Sequence, residues 1–278
     1  MPASHPWRPG HASSRFVVII CTSLSLSRLR SYSPGPEAYG SLPVTLVIQF
    51  GASLTRTLFL TQAEARAKTR LLLYFAVIAC AAALGAGLLH ADTVVYAFVE
   101  SHTPRRAWRP VFEAYSRWGL FLLYLPFLAM LVAGFRKRNP LLKAFAWTYV
   151  LAQLLGSVLA VHAIKLAVDR PRPPVPDPMA GFFHFTSFGH ALHSSFPSSH
   201  AVDTAVGAFL LYALLRSRTA TSLALAVALL MAASRVLLGK HYLTDVLAGI
   251  ALGTLIAAVA LYVYLLPRWQ RIESGKWG

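Results

Sequence analysis

Long apolar runs alternate with short polar segments along the chain from residue 71 onward. Most runs approach the ~20 residues that a helix needs to cross the hydrocarbon core of a bilayer, and the fourth is shorter. The runs are continuously apolar and lack the ~10-residue alternating segments of an outer-membrane barrel. The pattern therefore predicts an all-α polytopic membrane protein with six transmembrane helices and both termini on one side. The runs cover residues 71–89, 119–135, 144–164, 201–215, 220–239 and 246–266.

Composition agrees with this class. The 278 residues are 56% hydrophobic and only 13% charged, with a mean hydropathy of +0.55, whereas soluble domains carry about 25% charged residues. The two cysteines, Cys21 and Cys80, lie far apart in apolar surroundings. They predict neither a disulfide framework nor a thiolate metal site.

The formal net charge of +16 raises the question of a nucleic-acid partner. We expect none, because most basic residues flank the apolar runs. Lys and Arg concentrate in cytoplasmic loops. The face that carries most of them is therefore predicted to be cytoplasmic, with both termini, in a plasma or inner membrane. These residues are Arg66, Lys68, Arg70, Arg136, Lys137, Arg138, Lys143, Arg216, Arg218, Arg268 and Arg271.

A second basic group opposes this assignment, because it falls in the first outer loop. Arg105, Arg106, Arg109 and Arg117 lie there among Trp108, Phe112 and Tyr115. Basic and aromatic residues mixed in this way are typical of an amphipathic helix at a membrane surface. We therefore expect such a helix on the outer surface.

Residues 1–66 differ from the rest of the chain. The first 41 are rich in Ser, Pro and Arg and contain one acidic residue, Glu37. This composition suits a targeting segment, an extension with little order, or sequence upstream of the true start. We divide the chain into an N-terminal extension (1–66), a six-helix membrane domain (67–268) and a cytoplasmic tail (269–278).

Three polar clusters interrupt the apolar pattern. They are "KLAVDRPRP" at 165–173, "FPSSHAVD" at 196–203 and "SRVLLGKHYLTD" at 234–245. The topology places all three at the outer ends of helices 3 to 6. Ionisable groups at membrane depth are costly and usually mark function, so the sequence predicts an active site assembled from these helix ends.

Several residues in these clusters suit a phosphate-like anion. Lys165, Arg172 and Arg235 are fixed cations, and the guanidinium fork of arginine matches phosphate oxygens. Ser198 is a candidate N-cap for a helix that begins at Ser199, and backbone N–H groups at a helix N-terminus bind anions. Together they predict an oxyanion cradle.

The histidines supply candidate chemistry. His241 and Asp245 are four residues apart and would share one face of a helix. Asp245 could then fix the tautomer of His241 and leave its second nitrogen free to attack. His200 would protonate the leaving oxygen as a general acid. This pairing predicts phosphoryl transfer through a phosphohistidine, without a protein ligand set for a metal and without a cofactor.

These motifs resemble those of the type 2 phosphatidic acid phosphatase superfamily, in its membrane lipid phosphatase branch. The similarity covers roughly residues 119–266 and consists of Lys165…Arg172-Pro173, Pro197-Ser198-Ser199-His200 and Ser234-Arg235…His241…Asp245. It implies that His241 is the nucleophile, Asp245 its orienting partner and His200 the acid. It also implies a phosphate-binding set of Lys165, Arg172, Ser198, Ser199 and Arg235. Ser199 departs from the family, which usually has glycine there, and serine suffices unless the turn requires positive φ.

Other polar residues have simpler interpretations. Lys240 is expected to reach the lipid head groups, and His162 to pack in the core. Asp203 is interpreted as a carboxylate favoured by the helix dipole, with support of His200 as the alternative. His184, His190 and His193 are interpreted as loop residues, because they lack the partners of a metal site.

The sequence thus predicts a metal-independent, membrane-embedded phosphatase. Its substrate would be a phosphate or pyrophosphate monoester of an amphipathic lipid whose tail stays in the bilayer. Phosphatidic acid, phosphatidylglycerol phosphate, polyprenyl pyrophosphate and the phosphates of lipid A all fit, and residues 174–196 could border an entry path. The alternatives are a phosphotransferase that uses a lipid acceptor and a non-catalytic lipid carrier.

Overall fold

The computed structural model describes residues 57–102, 105–168, 170–173 and 194–276. Over these residues the chain is helical, apart from its connecting loops and one isolated bridge between Phe59 and Leu215. Two of the helices contain wider π-helical segments, Ala152–Ala160 and Ala260–Leu265. In chain order the helices are α1 (Gln62–Leu88), α2 (Ala91–His102), α3 (Arg105–Trp118), α4 (Phe121–Arg136), α5 (Pro140–Ala167), α6 (Ser199–Leu214), α7 (Arg218–Leu237) and α8 (Leu243–Glu273).

The predicted all-α membrane architecture is confirmed, although the count of six spans is not exact. Five segments are long and apolar enough to cross a membrane: α1, Trp108–Arg136, α5, α7 and α8. The fourth predicted span is α6, an apolar helix of 16 residues that is shorter than the other five. Eleven of these residues are buried, because α6 packs against α1, α5, α7 and α8. Its apolar surface is therefore covered by other helices.

A close contact between α6 and α8 sets the geometry of the site. A Cβ atom at Gly249 would lie 2.8 Å from the carbonyl oxygen of Ser198, and one at Gly253 would lie 2.6 Å from that of Val202. Small residues four apart let two helix backbones approach closely. At the end of this seam, the backbone N–H of Ser198 donates to the carbonyl oxygen of Asp245 at 3.0 Å. The first residues of both helices are thus joined directly.

Helix α3 covers the segment for which we expected an amphipathic surface helix. It packs against α7, and the Tyr115 hydroxyl donates to the carbonyl oxygen of Val227 at 2.7 Å. Gly119 follows α3 and packs closely against Tyr115 and Met231. A Cβ atom at this position would lie 2.7 Å from the Tyr115 carbonyl oxygen. The location of α3 at the membrane surface stays a prediction.

The described helices extend beyond the predicted domain limits at both ends. Helix α1 begins after Thr61, whose side chain forms a reciprocal capping box with Glu64. Helix α8 continues to Glu273, and Trp269 packs against Phe145 with ring centroids 5.0 Å apart. Residues 1–56 of the predicted extension lie outside the described residues.

Candidate active site

His241 lies in the loop between α7 and α8, one residue before the N-cap of α8, Tyr242. It therefore does not share a helix face with Asp245 as predicted, although the two side chains still meet. The Nδ1 atom of His241 lies 2.9 Å from the carbonyl oxygen of Ser195 and 3.5 Å from the Asp245 carboxylate. Since both groups accept hydrogen bonds, this geometry places the ring proton on Nδ1 and leaves the Nε2 lone pair free.

Asp245 is fully buried at the first turn of α8, with 0% of its surface exposed. Its carboxylate accepts hydrogen bonds from the Ser195 hydroxyl, from the Tyr242 backbone N–H at 2.9 Å and from the Arg170 guanidinium. A buried carboxylate is tolerated only when it is paired and its lone pairs are satisfied. These contacts fix Asp245 in one orientation beside His241.

Arg170 links Asp245 to a second buried carboxylate, Asp92 of α2. Its guanidinium contacts Asp92 at 2.6 Å and the Thr244 hydroxyl at 2.7 Å. Asp92 in turn accepts the backbone N–H of Thr244 at 2.9 Å. The guanidinium also lies over the ring of Tyr242, 4.6 Å from its centroid. This network ties α2 to the first turn of α8 behind His241.

The three predicted cations converge on the same end of the bundle. Arg235 donates to the Ser116 hydroxyl at 2.6 Å, and Lys165 donates to the carbonyl oxygen of Ser194 at 2.7 Å. Arg172 is close enough to repel both Lys165 and Arg235 electrostatically. Burial lowers the pKa of the Arg172 guanidinium, and the attraction of Asp245 opposes this effect. Like charges gathered in a half-buried place create a strong preference for an anion.

Three buried donors in this group lack a hydrogen-bond partner among the described residues: Arg172 Nε, Ser198 Oγ and Arg235 Nε. Ser198 occupies the N-cap of α6 as predicted, but its hydroxyl makes no capping bond. Buried polar groups are nearly always satisfied in native proteins. Two of these donors belong to the cations themselves, and together with Ser198 and Lys165 they form a cradle suited to an oxyanion.

His200 lies in the first turn of α6, half-buried at the edge of this cradle. It interacts electrostatically with Arg235 and His241 and hydrogen-bonds the main chain of Ser116. The structure thus brings both predicted histidines to one place, close enough to Arg235 to interact with it electrostatically.

The protonation of His241 follows from its burial. Burial lowers the pKa of His241 below its usual value, while the hydrogen bond and charge of Asp245 act in the opposite direction. The nearby cations Arg172 and Arg235 lower the pKa further. The balance keeps the ring neutral at pH 7, which is the form that has a free lone pair.

Residues 142–269 match the family model of the PAP2 superfamily. Over this segment the chain is similar to the PAP2 superfamily. The match confirms the resemblance inferred from the three motifs, and it includes every predicted site residue.

Curated relatives of this protein are named as phosphatases. It is 36% identical to the lipid A 1-phosphatase of Rhizobium etli over 130 residues, which are 46% of this chain and 54% of the relative. It is 46% identical to the decaprenylphosphoryl-5-phosphoribose phosphatase of Mycobacterium tuberculosis over 67 residues, 23% of this chain and 34% of that protein. The chain thus matches about half the length of the first relative and about a third of the second.

A solved structure is similar as well. The crystal structure of a transmembrane PAP2-type phosphatidylglycerolphosphate phosphatase from Bacillus subtilis is 25% identical, with a TM-score of 0.46. The similarity covers 70% of this chain and 95% of the other.

The departure from the PAP2 motif at Ser199 is accommodated by the fold. Ser199 is the first residue of α6 and is not among the non-glycine residues with positive φ, which are His90 and Arg138 in the described chain. Because this position is helical, it does not require glycine.

Sequence reasoning missed a second layer of the candidate site. Arg170 lies inside the first motif but was not singled out, and Ser195 precedes the second motif by one residue. Asp92 offered one signal, because it is a lone carboxylate at the end of a long apolar run. Ser116 and Thr244 gave none.

The remaining polar residues discussed in the sequence analysis lie apart from the cradle or outside the residues that the structure describes. His162 is exposed on α5, where its Nδ1 lies 2.6 Å from the Val158 carbonyl oxygen, so it is not packed in the core as expected. Lys240 lies near Arg235, and burial together with that charge lowers its pKa. His184, His190 and His193 lie outside the described residues.

Proposed function

We propose that this protein is a membrane-embedded lipid phosphate phosphatase. It hydrolyses a phosphate or pyrophosphate monoester of an amphipathic lipid through a phosphohistidine on His241. The observation that carries the proposal is the set of three unpartnered buried donors, Arg172 Nε, Ser198 Oγ and Arg235 Nε, next to a histidine whose Nδ1 is held by acceptors.

Binding comes first in the proposed reaction. Arg172, Arg235 and Lys165 neutralise the phosphate, and Ser198 donates its hydroxyl. The backbone N–H of Ser199, at the start of α6, adds to this set. Since these donors are already in place, little reorganisation accompanies the development of charge in the transition state.

Phosphoryl transfer then follows in two steps. The Nε2 lone pair of His241 attacks phosphorus, the bond to the leaving oxygen breaks, and His200 gives that oxygen a proton. In the second step His200 takes a proton from water, the water oxygen attacks phosphorus, and the P–N bond to His241 breaks. The Ser195 carbonyl and Asp245 hold the Nδ1 proton of His241 throughout.

A lipid substrate agrees with the position of the site. The cradle lies where apolar helices end, so a head group bound there would leave its tail beside the hydrocarbon-facing helices. The names of the relatives, a lipid A phosphatase and a decaprenyl-linked sugar phosphatase, point to the same class. The distribution of Lys and Arg supports an outer, periplasmic location for this end of the bundle, with both termini cytoplasmic.

The test is release of inorganic phosphate by the purified protein in detergent micelles across a panel of lipid phosphates and pyrophosphates. His241→Ala should lower the rate by at least about a thousandfold, as expected for loss of a nucleophile. His162→Ala is the matched control, because that histidine is exposed and outside the cradle. EDTA should leave the rate unchanged.

The opposite results are equally clear. A rate that His241→Ala leaves intact contradicts the phosphohistidine, and a rate lost in EDTA and restored by Mg²⁺ contradicts metal independence. Phosphate that leaves the substrate only when a lipid acceptor is added would identify a phosphotransferase instead.

A further inference from the structure

Asp203 is a carboxylate on α6, three residues after His200, at a depth where both neighbouring helices are apolar. Ionisable side chains among transmembrane helices are costly and mark functional positions. The proposed reaction does not use Asp203, and the carboxylate does not contact the cradle. Its partners instead lie on the neighbouring span, α5.

Two polar residues of α5 hold Asp203. The Ser157 hydroxyl donates to the Asp203 carboxylate, and the Gln153 side-chain amide donates to the Asp203 carbonyl oxygen at 3.2 Å. We call these three residues the α5–α6 clamp. Gln153 also donates to the Tyr149 hydroxyl at 2.9 Å, and the Tyr149 ring stacks on Phe127 of α4 with centroids 4.0 Å apart. The clamp is thereby anchored in one further helix, α4.

The backbone of α5 is unusual where it forms this clamp. Gln153 and Ser157 both lie in the π-helical segment Ala152–Ala160. Such segments are rare, interrupt the regular helical ladder and occur frequently at functional sites. Here the segment presents two polar side chains to α6 within an otherwise apolar span. The irregular backbone of α5 and the carboxylate on α6 are two independent observations.

The opposite side of α6 is fixed by the glycine seam. Ala201 faces Gly249 of α8, and a Cβ atom added at Gly249 would lie 2.9 Å from the Ala201 side chain. Ala205 faces Gly253 in the same way, at 2.7 Å. At about 100° per residue, Asp203 points about 180° away from the mean direction of these two alanines. Helix α6 is thus held by hydrogen bonds on one side and by close backbone packing on the other.

From this arrangement we infer that Asp203 is a positioning residue, which sets the rotation and height of α6 and so places His200 against the leaving oxygen. The inference rests on the proposed function for its catalytic consequence. A carboxylate that only responded to the helix dipole would interact with free N–H groups of its own first turn. Asp203 engages a hydroxyl of another helix instead.

Kinetics in detergent test the inference with Asp203→Ala, Asp203→Asn and Ser157→Ala. Asp203→Ala and Ser157→Ala should lower kcat by about 10- to 100-fold, the cost of a displaced catalytic group, with KM within twofold. Asp203→Asn keeps an oxygen acceptor and should retain most of the activity. Thr148→Val is the matched control, because the Thr148 hydroxyl bonds only to Ala144 within α5 at 2.7 Å.

A double-mutant cycle asks whether the effect passes through His200. In a His200→Ala background, Asp203→Ala should cause no further loss of kcat beyond twofold, because coupled residues are not additive. Full additivity of the two losses overturns the inference, and so does a kcat for Asp203→Ala within twofold of wild type. An equal loss in Thr148→Val also overturns it, since any buried polar deletion would then suffice.

A second measurement does not depend on turnover. In protein labelled with ¹⁵N-histidine, the ring resonances that His200→Ala removes belong to His200. They should shift in Asp203→Ala and Ser157→Ala and stay unchanged in Thr148→Val. Unshifted His200 resonances in folded Asp203→Ala overturn the inference, whereas a wild-type protein that releases no phosphate counts against the proposed function alone.

Discussion

The two ends of the helix bundle both contain ion pairs, but they treat charge in opposite ways. At one end Arg216 of the α6–α7 loop pairs with Glu64 of α1 at 3.0 Å, and both side chains are more than 40% exposed. At the other end Arg170 pairs with Asp92 and Asp245, and none of the three side chains is more than 8% exposed. Exposed pairs contribute little to stability, whereas a buried group becomes costly when its partner is lost.

This difference separates a surface ion pair from the buried network beside the proposed nucleophile. The exposed pair can break without leaving an unsolvated ion. The buried network cannot, and it holds the orienting carboxylate of the proposed nucleophile. We expect substitutions at the two ends to separate clearly, and the following predictions run from the largest expected effect to the smallest.

The largest effect should come from Asp245→Asn. The amide keeps the shape of the side chain but removes the charge beside His241 Nδ1 and can present a donor to it. By analogy with the orienting aspartate of a catalytic triad, kcat should fall by about 10⁴-fold. Phosphate release measures the effect, and circular dichroism checks the fold. A loss below tenfold in folded protein would show that the Ser195 carbonyl orients His241 alone.

Arg170→Met should mainly affect stability. It leaves Asp92 and Asp245 buried without their cation, which costs about 3–5 kcal/mol in comparable cases. The thermal unfolding midpoint in detergent should therefore drop markedly. An unchanged midpoint would mean that the hydrogen bonds from Thr244, Tyr242 and Ser195 satisfy both carboxylates without a cation.

The pH dependence of kcat/KM should reflect the buried environment of His241. Burial lowers its pKa below 6.5, and the proposed reaction uses the neutral ring. Activity should therefore persist as pH falls through 6.5 and then decline by about tenfold per pH unit below the lowered pKa. An acid limb with its midpoint above pH 6.5 would show that Asp245 outweighs burial.

Arg216→Met should have the smallest effect and serves as the matched control for Arg170→Met. The same side chain is exchanged, but the Glu64 partner stays in contact with solvent. We expect an unchanged unfolding midpoint and an unchanged rate of phosphate release. If the unfolding midpoint of Arg216→Met dropped as far as that of Arg170→Met, the two ion pairs would not differ in their contribution to stability.

The sequence predicted the features of this molecule that depend on local pattern. Apolar runs predicted the helices, and the polar clusters that interrupt them predicted that Lys165, Arg172 and Arg235 would meet at one end of the bundle. The start of α6 at Ser199 also followed from the N-cap residue before it. Each of these inferences needs only the period of a helix and the chemistry of a few side chains.

The features that sequence reasoning missed depend on helices far apart in the chain. Asp92 and Arg170 meet because α2 packs beside the start of α8. The placement of His241 before α8 depends on where that helix begins, which Tyr242 and Asp245 fix by a local capping arrangement. The clamp on Asp203 involves the π-helical segment of α5, which the apolar periodicity of the sequence does not predict. Gly249 and Gly253 carried a usable signal, since small residues four apart indicate close helix contact.

The glycine seam has a mechanical consequence for a protein embedded in lipid. Transmembrane helices tilt when the thickness of the surrounding bilayer changes. Because Gly249 and Gly253 hold the backbones of α6 and α8 together, and Ser198 is hydrogen-bonded to Asp245 at their ends, the two helices tilt as one body. The distance between the proposed nucleophile, just before α8, and the proposed acid, in the first turn of α6, should thereby be insulated from the composition of the membrane.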